Sequence, residues 1–276
     1  MLMSPLDQAH QRDNVVVMYP KIHPTALVSR HAQIAADVEI GPYTIIGDHV
    51  CIDEGTVIGA HVVIEGWTAI GKRNQIYHGA IVGNVPQDLK FNGEKSKLTI
   101  GDDNIIREYA TISRGTTGGG GETRIGNNNL IMSYVHVAHD VHIGAHNVLA
   151  HAAGIGGHVI MEDWVTIGAL SGIHQFVKLG RLAMIGANSM IAKDVPPYAL
   201  VKGNPAKFYG VNFTRLRRND FTSEERMQIQ RAYKILYNSG LTLNEAIEIM
   251  EQELPKSEHI DYLLQFLRHA NRGIYR

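Results

Sequence analysis

The stretch VSRHAQIAADVEIGPYTIIGDHVCIDEGTVI, residues 28–58, places an aliphatic side chain at every sixth position. These are Val28, Ile34, Ile40, Ile46, Ile52 and Ile58, and the step continues through Ile64, Ile70, Ile76 and Val82. It fails at Asp88 and Glu94 and resumes at Ile100, Ile106 and Ile112. A second series begins at Ile125 and runs through Ile131, Val137, Ile143, Leu149, Ile155, Met161, Ile167, Ile173, Leu179 and Ile185 to Ile191. A period of six is neither the 3.6 of a helix nor the plain alternation of a strand. It suits short strands joined by tight corners, with one aliphatic side chain per strand pointing inward. Two residues before each such position the side chain is mostly small or β-branched, as at Ala26, Ala32, Val38 and Thr44. Glycine often follows it, as at Gly41, Gly47, Gly59, Gly71, Gly126, Gly144, Gly168 and Gly186. Glycine there is expected to supply corner dihedrals that other residues resist. Three segments close a coil whose turns stack at about 4.8 Å, so the series makes about eight coils, a prism about 40 Å long. A sandwich or barrel would need hairpin turns and irregular strand lengths, which unbroken hexads do not offer.

Composition narrows the function. With 44% hydrophobic and 19% charged residues the chain can bury a core. A net charge of −1 and the lack of any Lys/Arg block give no reason to expect nucleic acid. The lone Cys51 rules out an internal disulfide framework and fits a reducing compartment. No run of about 18 apolar residues is present, so no membrane span is expected. The start lacks a basic segment followed by an apolar stretch, and a cytoplasmic location is expected.

Three regions depart from the beat. Residues 1–19 show no period and read as an N-terminal extension, and the hexads occupy 20–205. Within them, 83–99 (GNVPQDLKFNGEKSKLT) and 113–124 (SRGTTGGGGETR) are polar or glycine-rich and read as loops thrown outward. Such loops on a rigid solenoid commonly carry function. The glycine run lacks the Gly-Lys-Ser/Thr of a phosphate loop, and GIGGH at 154–158 lacks dinucleotide-binding spacing. Residues 206–276 read as a small helical domain. Thr-x-x-Glu capping boxes at 222–225 and 242–245 open helices over roughly 223–238 and 243–254, and a third runs from Ser257 to about Asn271.

Folding the sequence on an 18-residue coil brings chemistry together. His158 projects onto 140, His174 onto 138, and Gly157 onto His139 itself. Three histidines on successive coils thus meet at one corner, beside Asp140. A neutral histidine with a carboxylate neighbour can take a proton from a hydroxyl, and a backbone N–H such as that of Gly157 can steady an oxyanion. A zinc site is the sharper rival, but His136, His139 and His142 alternate faces in an extended strand.

Several of these segments together look familiar. VPQDLKF (85–91), SRGTTGGGGETRIG (113–126), VHVAHD (135–140), GGH (156–158), HQF (174–176), DVPPY (194–198), GNPA (203–206) and GVNFTRLRR (210–218) resemble the hexapeptide-repeat acyltransferases that act on UDP-N-acetylglucosamine. The resemblance implies a left-handed parallel β-helix followed by a small α-helical domain, a handedness that generic crossover rules would not give. It implies transfer of a 3-hydroxyacyl group from acyl carrier protein to the sugar nucleotide's 3-hydroxyl, the first step of lipid A biosynthesis, by a homotrimer needing no metal or other cofactor. His139 then matches the general base, Asp140 its orienting partner, and Gly157 the oxyanion donor. Asp88, Lys90, His136, His158, His174, Gln175, Asn212 and Arg218 match substrate-binding positions, and Ala187 a ruler that closes the acyl groove. Two rivals share the fold: the related N-acyltransferase and a trimeric zinc carbonic anhydrase.

Overall fold

The computed structural model describes residues 21–238 and 240–275, so the segment 1–19 lies outside the described residues. Short strands stack into three sheets of nine, eight and ten strands. Along the coil, neighbours in a sheet are parallel and three strands apart in sequence. Leu27 pairs with Ile45 and Ile45 with Val63, so each turn of the prism takes 18 residues. The hexad side chains fill the interior. Ile64, Ile106, Ile131, Val137, Ile167 and Ile185 are each 0% exposed. Full burial of such a side chain contributes about 1.5–3 kcal/mol, and the prism collects one contribution per hexad.

The corners differ from expectation. Of the glycines that follow inward residues, only Gly83, at the mouth of the first loop, has a positive φ. Elsewhere Tyr43, His61, Asn128, His146 and other non-glycine residues take that role two positions later. The glycines are required by space. A Cβ on Gly41 would come within 2.7 Å of the Gly59 carbonyl carbon, and one on Gly126 within 2.6 Å of the Gly144 oxygen. A hexad glycine looks the same in sequence whether it serves a dihedral or a close backbone approach.

The chain leaves the prism at 85–96 and 114–121. Strands Ile81–Asn84 and Lys97–Ile100 reach further toward the first loop than the hexads indicate, and Glu122–Ile125 does the same behind the second. Lys97 pairs with both Trp67 and Glu122, which carries the ladder across both insertions. Beyond the last coil, strands Ala199–Gly203 and Ala206–Val211 form an antiparallel pair. Four helices follow: α1 (Phe213–Arg218), α2 (Ser223–Asn238), α3 (Leu243–Glu253) and α4 (Glu258–Arg268). Thr242 and Glu245 make the full capping box at α3. The short α1, capped by Asn212, has too few residues to show a period, and α4 stops at Arg268 rather than near Asn271.

Candidate active site

The site forms at the corner between the nine-stranded and eight-stranded sheets, where both loops leave the prism. Strand His136–Val137 anchors itself through the buried Val137, turns at Asp140 with a φ of 59°, and re-enters as His142–Ile143. His139 and Asp140 therefore sit on a rigid turn. The Asp140 side chain is fully buried and its oxygens are used: Oδ1 accepts from Thr116 N at 2.8 Å. Its Oδ2 accepts from Thr116 Oγ1 at 2.7 Å and from His139 Nδ1 at 2.8 Å. Its own N–H donates to Thr123 Oγ1 at 2.8 Å. A carboxylate so held makes Nδ1 the protonated nitrogen of His139 and leaves Nε2 as the acceptor.

That nitrogen stands beside Gly157. A Cβ there would lie 2.9 Å from His139 Cε1 and 3.0 Å from Nε2, so only glycine leaves room for the ring. Among the described residues the Gly157 N–H has no acceptor. His158, one coil up, meets His139 edge-on with ring centroids 5.2 Å apart and stacks flat on Phe176 at 4.4 Å. Burial lowers its pKa, opposed by the charges of Asp140 and Asp88. His136 shares Nδ1 with Thr111 Oγ1 at 2.8 Å, and burial, aided by His139, holds its pKa below the ordinary histidine value. Both rings are held toward the neutral form.

A cavity of about 750 Å³ opens in front of His158, lined by Asp88, Lys90, Phe91, Glu94, Thr116 and Gly119 among others. Asp88 and Lys90 are locked together, Lys90 N donating to Asp88 Oδ1 at 3.0 Å. His174 and Gln175 lie exposed one coil above His158, with His174 Nδ1 donating to the Gln175 carbonyl at 3.1 Å. Three expected residues are elsewhere in the chain. Asn212 uses its side chain to cap α1 and to reach the Leu182 carbonyl, Arg218 ends α1, and Ala187 sits at a different corner. None of the three lines the cavity.

Sequence reasoning missed Thr116, Thr123 and Gly119. The glycine run leaves room for the buried carboxylate, since a Cβ on Gly119 would overlap the Asp140 side chain. Gly120 and Gly121, with φ of 99° and 84°, then turn the chain back into the sheet. No period marks a loop residue, so only the four consecutive glycines signalled it.

His139, Asp140 and His158 could also present ligand atoms to a metal, all within 4.8 Å of one another. Such an ion would compete for Asp140 Oδ2 with Thr116 and with His139 itself. The arrangement fits proton transfer more closely than it fits three converging imidazoles.

Residues 122–157 match the family model described as bacterial transferase hexapeptide (six repeats), and 194–275 match UDP N-acetylglucosamine O-acyltransferase, domain 2. Fold and site thus define a left-handed parallel β-helix transferase of the hexapeptide-repeat class. An acyl-[acyl-carrier-protein]–UDP-N-acetylglucosamine O-acyltransferase of Thiobacillus denitrificans is 47% identical over 255 residues, 92% of this chain and 99% of that protein. The solved LpxA of Acinetobacter baumannii is 43% identical with a TM-score of 0.91, covering 93% of this chain and all of the other. A UDP-N-acetylglucosamine acyltransferase from Bacteroides fragilis is 41% identical, with a TM-score of 0.90 over 92% of this chain and all of that one. The chain belongs to the UDP-N-acetylglucosamine O-acyltransferase family and is an acyltransferase.

Proposed function

We propose that the protein moves a 3-hydroxyacyl group from acyl carrier protein to the 3-hydroxyl of UDP-N-acetylglucosamine in the cytoplasm, opening lipid A biosynthesis. The observation that carries the mechanism is the pairing of His139 Nδ1 with the saturated, buried Asp140, which aims a free Nε2 at the space beside the Gly157 N–H. Nε2 takes the sugar hydroxyl's proton as its oxygen attacks the thioester carbon, and Gly157 N–H donates to the oxyanion that forms. The imidazolium then returns its proton to the leaving thiolate. Asp140 stays ionised and steadies the cation. Asp88, Lys90 and His158 bind the sugar nucleotide in the cavity beside this centre, whose polar lining suits hydroxyls and an amide, and His136, His174 and Gln175 bind it from the adjoining coils.

The remaining groups come from neighbouring subunits of a homotrimer. One corner of the prism exposes Tyr43, Tyr109, Tyr134 and Leu170 in a column, and the adjoining sheet exposes Leu27, Ile45, Ile81 and Met190. A band of this kind along a rigid edge needs a partner. Ala187 lies on that same corner, which supports an acyl groove between subunits with Ala187 as its ruler, and Asn212 and Arg218 reaching a partner's substrate.

The deciding experiment mixes the purified protein with 3-hydroxyacyl carrier protein and UDP-N-acetylglucosamine and weighs the product. A mass gain of one 3-hydroxyacyl group on the sugar nucleotide is expected. Transfer to an aminosugar nucleotide alone would favour the N-acyltransferase reading, and no transfer would sink both.

A further inference from the structure

Outside the His139 cluster, the side chain least explained by the repeat is Arg114. It is 8% exposed, and no carboxylate pairs with it among the described residues. Its Nη1 donates to the Gly83 carbonyl at 2.9 Å, while Nε is buried without an acceptor. The guanidinium carbon lies 5.3 Å from the centre of the Phe91 ring. The Gly66 backbone also lies against it, since a Cβ on Gly66 would come within 3.0 Å of Arg114 Cδ and Nη1. A buried cation without a counter-charge is among the least favourable placements for a side chain, so some gain must offset it.

We propose that Arg114 is a positioning residue for the acceptor cavity, its guanidinium clamping the Phe91 ring and so fixing the wall that carries Asp88 and Lys90. The inference rests on the acyltransferase reading above. Phe91 lines the cavity beside Lys90, and its N–H donates to the Asp88 carbonyl at 3.0 Å, so the ring and the carboxylate sit on one short backbone turn. Two positions past Arg114 in the chain, Thr116 holds Asp140. One side chain thereby ties the substrate-binding wall to the loop that supports the base. Two other side-chain ties run from this wall, one to the second loop and one to the prism. Thr117 N donates to Glu94 Oε1 at 3.4 Å, and Lys95 Nζ lies 5.4 Å from the centre of the half-buried Trp67 ring. A desolvated guanidinium on a ring face holds more strongly than an exposed ammonium does.

Such a role has a kinetic signature. The wall binds the acceptor, while His139 and Gly157 act on the reacting atoms, so losing the clamp should raise acceptor KM and spare kcat. Arg114→Met, which keeps length and removes charge, should raise acceptor KM at least about tenfold, with kcat and donor KM changed less than about threefold. Arg114→Lys should fall between wild type and Arg114→Met. Phe91→Leu removes the ring from the other side and should show the same rise, and it carries the test if Arg114→Met does not fold. Combined with Arg114→Lys, it should raise KM no further than Phe91→Leu alone, because the two residues act as one unit. Rises that multiply in the double variant, or a fall in kcat at unchanged acceptor KM, would overturn the proposal. A wild-type protein that acylates no sugar nucleotide would overturn the functional reading beneath it. Normal turnover with an Arg114→Met variant at wild-type KM would overturn the clamp alone.

Discussion

At the corner between the eight-stranded and ten-stranded sheets, Asn74, Asn104, Asn129 and Asn147 stack one coil above another, each at most 1% exposed. Each side-chain oxygen accepts the backbone N–H of the next coil: Asn74 from Asn104, Asn104 from Asn129, Asn129 from Asn147, and Asn147 from Val165. At the corner between the nine-stranded and eight-stranded sheets the same backbone turn places Asp140, His158 and Phe176 at positive φ. There a loop, not the next coil, completes Asp140. The first corner turns its asparagine oxygens on its own backbone, leaving only Asn147 Nδ2 of the ladder without a partner among the described residues. At the second, the inserted loop breaks the ladder and leaves His139 Nε2 and the Gly157 N–H for a substrate.

The sharpest way to separate the two corners is one substitution in each. His139→Ala should lower turnover at least about 10²-fold, about 2.7 kcal/mol of barrier. Its melting temperature should stay near the wild type, because Asp140 keeps both of its bonds to Thr116. Single-turnover rates beside a thermal melt would show this, and equal losses of activity and stability would erase the distinction. Asn104→Ala should do the reverse. It strips the Asn129 N–H of its acceptor and leaves the Asn129 side-chain amide only its bond to Gly144 O. An orphaned buried donor costs about 1–3 kcal/mol. Each kcal/mol lowers the melting temperature of a chain this size by about 2–4 °C. Turnover per folded molecule should be unchanged.

Gly119→Ala tests the junction between loop and corner, with a smaller expected effect. The new methyl would overlap the Asp140 carboxylate and tilt His139 away from its aim. A displacement of that kind should cost on the order of tenfold in kcat. Gly118→Ala, whose Cβ would meet nothing within 4 Å, should cost less. If the two variants lose equally, the glycine run matters for flexibility and not for the space it leaves around Asp140.

The contrast between the corners also explains what could be read in the chain itself. Inward residues such as Ile131 and Val137 recur at the hexad whatever the corner does, so period alone exposed the prism. His139, Gly157 and His158 were legible because they lie on the repeat, where adding one coil finds a spatial neighbour. The asparagine ladder is equally periodic but passed unnoticed, because Asn104 and Asn129 are separated by the second loop and fall out of step by its extra residues. Thr116 and Gly119 belong to no period at all. Asn212, Arg218 and Ala187 are remote from the His139 corner within one chain, and a repeat relates positions only inside the same prism.

The smallest expected difference between the corners is in their response to acid. A histidine in an unfolded chain takes its proton near about pH 6.5. Folded His136 resists until the pH is lower, first because burial disfavours the imidazolium and then because His139 is close. In the window between these values the unfolded state binds more protons, so stability falls as pH drops through about 6.5 and levels off below the folded value. His158 adds to the same trend, its burial outweighing the attraction of Asp140 and Asp88. The ladder asparagines themselves do not titrate, although charged pairs such as Arg73–Asp103 share their corner. His136→Gln keeps a polar partner for Thr111 Oγ1 and removes the proton site, so its melting temperature should decline less between about pH 7 and 5 than the wild type's. The same change at exposed His142 is the control. Parallel curves for wild type and His136→Gln would mean that the reactive corner carries no acid penalty, and that its histidines are held neutral at no cost to the fold.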